Sequence, residues 1–435
     1  MFKLQTIIHE IQQGKTLIAF MGLRALGEGL STVGPLVVAS RLSPETFGSY
    51  TLAKMVMFLF LALLVMPSQT PFIVLASQER QRDGTMNKTF SVQLAFFAAA
   101  LILFVLLMAA LSGPFIAFAE INQGVLLFVG GGFIGIAFKT FLSNTLLATD
   151  RRLTSSLAEL VFGTSNFLGI VLLSLAGRIT LQTVFATYLL ASILTVALFT
   201  GAVDFRIFRP FVLDRACLRA MLAFTKWVLL GTTSVYFINW GDNLVLRYFV
   251  SMQDIGVYNL AYQLFKGIAM LIFTFNAYFL PFVSQHIDDA EKMRRYLSEK
   301  RLKVVATGLV GLAVLFAGGP ALMLSAFGES YRGSIAVFRI LLIASACMLY
   351  SVFYYPILNA LKAYKVAQTV NLLQVLLNLV LDVVLVPLLG LTGAATATAV
   401  AYLGQAILFE TYLRRRLKTM LRPGPAGCQE GERVL

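Results

Sequence analysis

Twelve apolar stretches, each long enough to cross the hydrocarbon core of a bilayer, follow one another along almost the whole chain. About 20 residues of helix span that core, and a backbone surrounded by lipid must satisfy its own hydrogen bonds, which a helix does within one segment. The sequence therefore predicts an all-α polytopic membrane protein with about 12 transmembrane helices. The predicted spans are residues 15–40, 46–68, 90–112, 122–148, 153–176, 180–201, 221–248, 256–282, 303–326, 334–360, 366–389 and 391–413.

The overall composition excludes a soluble protein. Of the 435 residues, 58% are hydrophobic and only 13% are charged, whereas a soluble domain of this length needs a more polar exterior. The three cysteines, Cys217, Cys347 and Cys428, are far apart in the sequence, and the chain has only two histidines. Nothing in this pattern indicates a disulfide framework, a metal site or a cofactor.

The distribution of basic residues predicts the orientation. The net charge of +14 could suggest a nucleic-acid partner, but Lys and Arg concentrate in alternate short loops, as they do in membrane proteins that follow the positive-inside rule. With the N-terminus inside, 26 of the 35 Lys and Arg fall in cytoplasmic loops and ends, and three (Arg41, Arg178 and Arg332) fall outside. We therefore expect both termini in the cytoplasm and no nucleic-acid partner.

A weak internal repeat predicts two lobes of six helices. The segment LSPETFGSYTLA (residues 42–53) is echoed by VSMQDIGVYNLA (residues 250–261), and residues 144–157 are echoed by residues 359–372. Because six is an even number, both lobes have the same orientation and surround a central cavity as a parallel repeat. We expect an N-terminal lobe at 1–203, a cytoplasmic connecting segment at 204–226, a C-terminal lobe at 227–416 and a polar cytoplasmic tail at 417–435.

Six basic residues lie inside the predicted spans. A charge at this depth costs at least a few kcal/mol unless it faces a water-filled cavity, a partner or an anionic ligand. The surplus of positive charge predicts a cavity that binds an anionic substrate, and the candidate substrate-binding residues are Arg24, Lys54, Lys139, Arg247, Lys266 and Arg339.

Four of these six cations have a competing structural explanation. Arg24 is four residues before Glu28 and could form an intrahelical pair with it. Lys139 could extend its ammonium to the cytoplasmic interface. Arg247 could pair with Asp242 or mark the outer rim, and Arg339 fits the rim better than a substrate site. Lys54 and Lys266 have no acidic residue within one helical turn, which favours exposure to the cavity.

Acidic residues inside the spans are candidates for coupling transport to an ion. A buried carboxylate can carry a proton through a change of access. The candidates are Glu28, Glu159, Asp242 and Asp382. The alternative explanation is a structural pair with a lysine on a neighbouring helix. No catalytic residue is predicted, because the outer loops are short and no clustered carboxylates lie outside the membrane.

Three segments resemble the Wzx-type polysaccharide flippases of the multidrug/oligosaccharidyl-lipid/polysaccharide exporter superfamily. They are RLSPETFGSYTLA (residues 41–53), NWGDNLVLRYFVSMQDIGVYNLAYQL (residues 239–264) and GLTGAATATAVAYLGQ (residues 390–405). The resemblance implies a carrier of the bacterial inner membrane that moves an undecaprenyl-diphosphate-linked oligosaccharide by alternating access. It also implies coupling to H⁺ or Na⁺, contact with membrane lipid and association with a polymerase or other glycan-assembly proteins.

Two other functions compete with the flippase. A multidrug or metabolite exporter of the same superfamily would have a smaller and more acidic cavity for cationic drugs. A membrane enzyme of polysaccharide assembly would need a large outer loop or a cytoplasmic catalytic domain. Neither feature matches the surplus of basic residues or the short loops of this chain.

Overall fold

The computed structural model describes the backbone of residues 2–287, 289–361 and 363–420, and the side chains within these ranges except those of 2–18, 277, 290, 364 and 416–420. The described part contains helices and turns and no strand. Its twelve long helices are α1 (Phe2–Ala39), α2 (Pro44–Asp83), α3 (Asn87–Ala110), α4 (Gln123–Ala148), α5 (Arg152–Leu175), α6 (Leu181–Phe199), α7 (Arg215–Phe249), α8 (Met252–His286), α9 (Arg301–Phe327), α10 (Ser334–Ser351), α11 (Tyr364–Leu389) and α12 (Leu391–Met420).

These helices confirm the predicted fold class. The eleven from α2 to α12 are long and apolar enough to cross a membrane, and α1 covers the first predicted span. The predicted span 334–360 covers α10 and a separate short helix, Tyr354–Ala360, whereas each of the other predicted spans corresponds to one long helix. Several helices extend beyond the predicted ends by a turn or more. We call the end of the bundle that carries the basic loops the inner end, and the opposite end the outer end.

The packing between helices follows the same plan in two lobes. In the N-terminal lobe (α1–α6), α1 packs on α5 and α4 packs on α6; in the C-terminal lobe (α7–α12), α7 packs on α11 and α10 packs on α12. Between the lobes, α2 packs on α8, while α1 contacts α8 and α7 contacts α2. Each contact therefore has a counterpart in the other lobe, as expected of a parallel repeat.

The repeated sequence forms the outer ends of α2 and α8. Ser43 and Ser251 cap these helices, each side-chain oxygen accepting a hydrogen bond from the backbone N–H three residues later, at 3.3 and 3.2 Å. One turn into each helix, Gly48 and Gly256 let the two backbones approach closely: a β-carbon on Gly256 would lie 1.8 Å from the carbonyl oxygen of Pro44. The two halves of the repeat thus meet each other at the outer end.

Helix α2 changes its winding where it passes the centre of the molecule. A π-helical turn at Leu61–Val65 is followed by a 3₁₀ turn at Met66–Ser68, which contains Pro67. Proline cannot donate the usual backbone hydrogen bond, so regular helix is disrupted near it. Thr232 of α7 donates its hydroxyl to the Ala62 carbonyl at 3.1 Å, which links the lobes at this irregular turn.

The segment predicted to connect the lobes lies against the N-terminal lobe. It contains a 3₁₀ turn at Phe205–Phe208, and its second half already belongs to α7, which begins at Arg215. Phe208 is fully buried and stacks on Phe90 of α3 with ring centroids 4.0 Å apart. At the other terminus, α12 continues through residues 417–420 of the predicted tail, and residues 421–435 lie outside the described residues.

Candidate functional site

A cavity of about 380 Å³ lies between the two lobes. Helices α1, α2, α7 and α8 form its wall, and we call it the central cavity. Its wall is mainly apolar, with polar groups at a few positions. The polar or aromatic residues that matter for the argument below are Glu28, Thr32, Lys54, Asn239, Trp240, Gln263 and Lys266.

The two lysines of the central cavity contact aromatic rings. The Lys54 ammonium lies 5.7 Å from the centroid of the Tyr50 ring and 5.8 Å from that of Tyr188, while the Lys266 ammonium lies 4.5 Å from Trp240 and 4.8 Å from Tyr262. Among the residues that the structure describes, neither lysine forms an ion pair. Ring faces attract a cation without using its N–H donors, so both ammonium groups can still bind an anion.

Arg24 and Glu28 form the intrahelical pair that their spacing allows. The Arg24 Nε atom lies 3.1 Å from Glu28 Oε1, and the two side chains are 44% and 59% exposed. Glu28 belongs to the wall of the central cavity, whereas Arg24 does not. The structure therefore places one partner of this pair beside the lysines and the other outside the cavity.

Lys139 and Glu159 form an ion pair inside the N-terminal lobe. Lys139 Nζ lies 2.7 Å from Glu159 Oε2, with 9% and 17% of the side chains exposed. Ser143 donates to the other carboxylate oxygen at 3.0 Å, and the Phe162 ring lies 4.7 Å from the ammonium. Neither residue belongs to the wall of the central cavity, so this arrangement matches the structural explanation for Glu159.

The remaining two arginines lie toward the outer end. Arg247 donates to the carbonyl oxygens of Phe118 (2.6 Å) and Ala117 (3.1 Å), and it forms an ion pair of 2.9 Å with Glu120. Its acidic partner is therefore Glu120 of the other lobe and not Asp242. Arg339 is exposed, with its guanidinium 4.9 Å from the Phe316 ring centroid.

Asp242 and Asp382 meet inside the C-terminal lobe. The side-chain nitrogen of Asn378 donates to both carboxylates, at 2.6 Å to Asp242 and 2.7 Å to Asp382. Asp242 also accepts hydrogen bonds from the hydroxyls of Thr398, at 3.0 Å, and Tyr258. We call these five residues the carboxylate cluster.

The carboxylate cluster has an unsatisfied acceptor. Asp382 is fully buried, and its Oδ1 atom has no hydrogen-bond partner among the described residues. If both carboxyl groups were ionised, two negative charges that share one amide in an apolar interior would repel each other, and burying them without compensation is unfavourable. A proton or a small cation would relieve this repulsion, and carboxylate, amide and hydroxyl oxygens are suitable ligands for a hard cation.

Sequence reasoning identified the two aspartates of this cluster but not its other members. Asn378 carries the available signal, because it precedes Asp382 by four residues and so shares its helix face. Thr398 and Tyr258 are on other helices, and only the tertiary structure brings them to Asp242. In the same way, the polar residues Asn239 and Gln263 of the central cavity could not be recognised from spacing alone.

A family model described as "Polysaccharide biosynthesis protein" matches residues 37–336. The chain belongs to this family. The resemblance to polysaccharide flippases of the exporter superfamily, seen in the three segments quoted above, is thereby confirmed.

Relatives and solved structures agree with this family membership. The "Probable flippase AglR" of Haloferax volcanii is 27% identical over 198 residues, 44% of this chain and 41% of the relative. The "Probable low-salt glycan biosynthesis flippase Agl15" of the same organism is 24% identical over 202 residues, 45% of this chain and 42% of the relative. The matched part thus spans about two-fifths of the length of these relatives.

Two solved transporters share the fold of this family member. An inward-facing multidrug transporter of the MATE family superimposes with a TM-score of 0.74 at 13% identity, covering 91% of this chain and 96% of that one. The lipid II flippase MurJ in an inward closed conformation also gives 0.74, at 14% identity, covering 93% and 89%. At these identities the likeness establishes a two-lobed transporter fold and does not distinguish between substrates.

Proposed function

We propose that this protein flips an undecaprenyl-diphosphate-linked oligosaccharide, an O-antigen, capsule or exopolysaccharide repeat unit, across a bacterial inner membrane. The observation that carries the proposal is the position of Lys54 and Lys266, which face the central cavity between the lobes without a carboxylate partner among the described residues. The family and the flippase names of two relatives support it.

The wall of the central cavity suits a diphosphate joined to a sugar. Lysine is a compact, mobile charge that binds phosphate as a point charge, without the fixed fork of arginine. Two separate lysines can therefore hold the diphosphate and still release it, which a carrier requires. Asn239 and Gln263 offer hydrogen bonds to sugar hydroxyls, and the Trp240 ring offers an apolar surface to a sugar face.

Alternating access requires the outer contacts between the lobes to open. In this structure the Gly48–Gly256 crossing and the Arg247–Glu120 pair hold the outer ends together. Tyr331 of the C-terminal lobe adds a hydrogen bond of 3.3 Å to the Leu42 carbonyl. Rocking of one lobe against the other would break these contacts and expose the cavity to the outer side.

We further propose that the carboxylate cluster couples transport to a cation, H⁺ or Na⁺. Asp242 lies on α7 and Tyr258 on α8, two of the helices that form the central cavity, while Asp382 and Thr398 lie on α11 and α12. Binding of a cation would hold these four helices together, so occupancy of the cluster would alter the arrangement of the cavity wall. Both termini are cytoplasmic in this proposal, and a polymerase or other glycan-assembly protein would take the flipped product.

The test is the accumulation of lipid-linked oligosaccharide in cells that lack the protein. Rescue is compared for wild type, Lys54→Ala, Lys266→Ala and the control Lys303→Ala, an exposed lysine outside the cavity, at matched membrane levels. We expect the intermediate to build up in the inner leaflet and the two cavity variants to fail, while the control rescues. Accumulation with full rescue by both cavity variants would keep the function and reject the site.

An exporter of drugs or metabolites is the second candidate, favoured by the equal TM-score to the MATE-family transporter. It predicts no accumulation of lipid-linked oligosaccharide in the deletion strain and an increased sensitivity to cationic compounds. The two lysines in the cavity oppose it, because they would repel such compounds.

A further inference from the structure

A second cavity, of about 450 Å³, lies between α8 and α9 of the C-terminal lobe. It is bounded by residues 268–275 of α8 and 308–315 of α9, and every lining residue that the structure describes is apolar. Leu271 and Val314 line it and are 68% and 65% exposed, so the cavity opens on the outside of the bundle, where the lipid lies. We call this cavity the lateral groove.

Two glycines of α9 shape the lateral groove. At Gly308, α9 lies close to α10, since a β-carbon there would lie 2.3 Å from the Cδ2 atom of Leu349. One turn further along the helix, Gly311 faces open space, because nothing lies within 4 Å of an added β-carbon. Both glycines line the groove. The first glycine therefore holds α9 against α10, and the second leaves room between α9 and α8.

The corresponding place in the N-terminal lobe is filled by aromatic rings. At the offset of the internal repeat, Phe60 of α2 corresponds to Ile268 of α8. The centroid of the Phe60 ring lies 5.1 Å from that of Phe104 on α3, and Phe104 stacks on Phe133 of α4 at 3.8 Å. All three phenylalanines are buried. Since the two lobes share one packing plan, the lateral groove results from the residues of the C-terminal lobe and not from the fold.

The lateral groove begins at the depth of the cavity lysine on the same helix. Lys266 precedes Ile268 by two residues, a rise of about 3 Å, and the groove continues from there toward the inner end as far as Phe275. At about 100° per residue, Lys266 and Ile268 lie on opposite sides of α8. Gly267 lies between these two sides, with nothing within 4 Å of an added β-carbon. A long chain can therefore pass from the cavity to the groove around this helix.

We infer that the lateral groove holds part of the polyprenyl chain of the substrate while the lysines of the central cavity bind its diphosphate. This inference rests on the function proposed above. Lipid tails are as apolar as leucine, so the groove gains little by attracting a chain out of the bilayer. The chain of the substrate differs from other lipid tails because its bound headgroup keeps it beside α8, which raises its effective concentration at the groove.

The first test is photo-crosslinking of undecaprenyl diphosphate to the purified full-length protein in phospholipid nanodiscs. The photoreactive amino acid p-benzoylphenylalanine replaces Val314 in the lateral groove or, as the control, Leu322, which is 66% exposed on α9 beyond the groove. We expect a product at position 314 that excess inorganic diphosphate removes, because the competitor displaces the headgroup. The double variant Lys54→Ala, Lys266→Ala should lose this product too. Any product at position 322 should not respond to the competitor.

The second test fills the lateral groove without a crosslinker. Gly311→Leu places a side chain in the groove, and Gly318→Leu makes the same change two turns further along α9. Nothing lies within 4 Å of the added β-carbon at either glycine, so both variants should fold. Gly311→Leu should bind undecaprenyl diphosphate about fivefold more weakly, equivalent to ~1 kcal/mol, and inorganic diphosphate as the wild type does. Gly318→Leu should bind both ligands as the wild type does.

Other outcomes separate the groove from the proposed function. If position 314 captures phospholipid and excess diphosphate does not change its product with undecaprenyl diphosphate, ordinary membrane lipid fills the groove and the inference is overturned. If binding of both ligands depends on the two lysines but Gly311→Leu binds undecaprenyl diphosphate as the wild type does, the chain lies elsewhere and the headgroup site stands. If the wild type binds neither ligand, the proposed function fails and the inference fails with it.

Discussion

The basic residues inside the predicted spans differ in the partners that they contact. Lys139 is neutralised by Glu159 within one lobe, and Arg247 is neutralised by Glu120 across the two lobes. Among the described residues, Lys54 and Lys266 form no ion pair, and their ammonium groups lie close to aromatic rings. Residue type and depth are therefore insufficient to define a substrate site. Among the described residues, the absence of a carboxylate partner distinguishes the two cavity lysines from Arg24, Lys139 and Arg247. Their position in the wall of the central cavity distinguishes them from Arg339.

The Lys139–Glu159 pair gives a prediction for stability. Lys139→Met should leave Glu159 as an uncompensated buried charge and lower the free energy of unfolding by ~3–5 kcal/mol. The double variant Lys139→Met, Glu159→Gln should recover most of that loss, because no charge then remains. Thermal unfolding in detergent measures both, with Lys303→Met as the exposed control. Equal loss in the single and double variants would show that packing of the lysine stem, and not charge, stabilises this site.

Sequence distance determined which contacts of the candidate residues could be predicted. The Arg24–Glu28 pair follows from a spacing of four residues, and the cavity position of Lys54 and Lys266 followed from their lack of nearby acids. The partner of Arg247 could not be predicted, because Glu120 is 127 residues away in the sequence. The fold was easier, since the length of each apolar stretch and the backbone's need for hydrogen bonds leave helices as the solution.

At the level of helices, the crossing of α2 and α8 determines how closely the lobes meet. Both backbones approach at glycine, and a β-carbon on Gly48 would lie 2.2 Å from the Met252 carbonyl oxygen. Oxygen and carbon cannot approach to that distance, so one of the helices would have to move. The crossing is therefore compatible only with glycine at both positions when the outer end is closed.

Gly256→Ala should weaken the outer closure. We expect the outer-closed population to fall about tenfold relative to the open one, a change of ~1.4 kcal/mol, because the alanine side chain overlaps the Pro44 carbonyl. The measurement is labelling of Thr232→Cys in the central cavity by an impermeant thiol reagent added outside, in a background without the natural cysteines. Gly318→Ala is the matched control, since nothing lies within 4 Å of the added carbon there. Unchanged labelling in both variants would mean that the crossing does not limit opening.

In the molecule as a whole, the contacts between lobes are unequal at the two ends. The outer end is joined by the α2–α8 crossing, by Tyr331 and by Arg247, whose three hydrogen bonds bind the C-terminal end of the short helix Ser112–Ala119 and Glu120. Nearer the inner end, the connecting segment is attached to the N-terminal lobe by Phe208. When one lobe moves against the other, we therefore expect α7 to change its position after the point where the connecting segment is attached.

The Arg247 contacts give a prediction for the conformational equilibrium. Arg247→Ala should shift it toward outer-open by about tenfold, while Glu120→Ala should shift it by only about two- to fivefold, because a half-exposed ion pair contributes less than ~1 kcal/mol. The difference between the shifts of the two variants gives the contribution of the hydrogen bonds from Arg247 to the two carbonyl oxygens. Distances between spin labels on the outer ends of α3 and α7 would report both shifts. Equal shifts for the two variants would show that the ion pair alone joins the lobes.

The two lysines of the central cavity also affect the carrier when no substrate is bound. Closing the lobes around an empty cavity would strip water from two positive charges that form no ion pair among the described residues, which is a large desolvation penalty. A bound diphosphate removes that penalty by supplying the missing negative charge. The loaded protein should therefore pass through the closed state faster than the empty one. Idle turnover would be suppressed by the same two residues that we propose to bind the cargo.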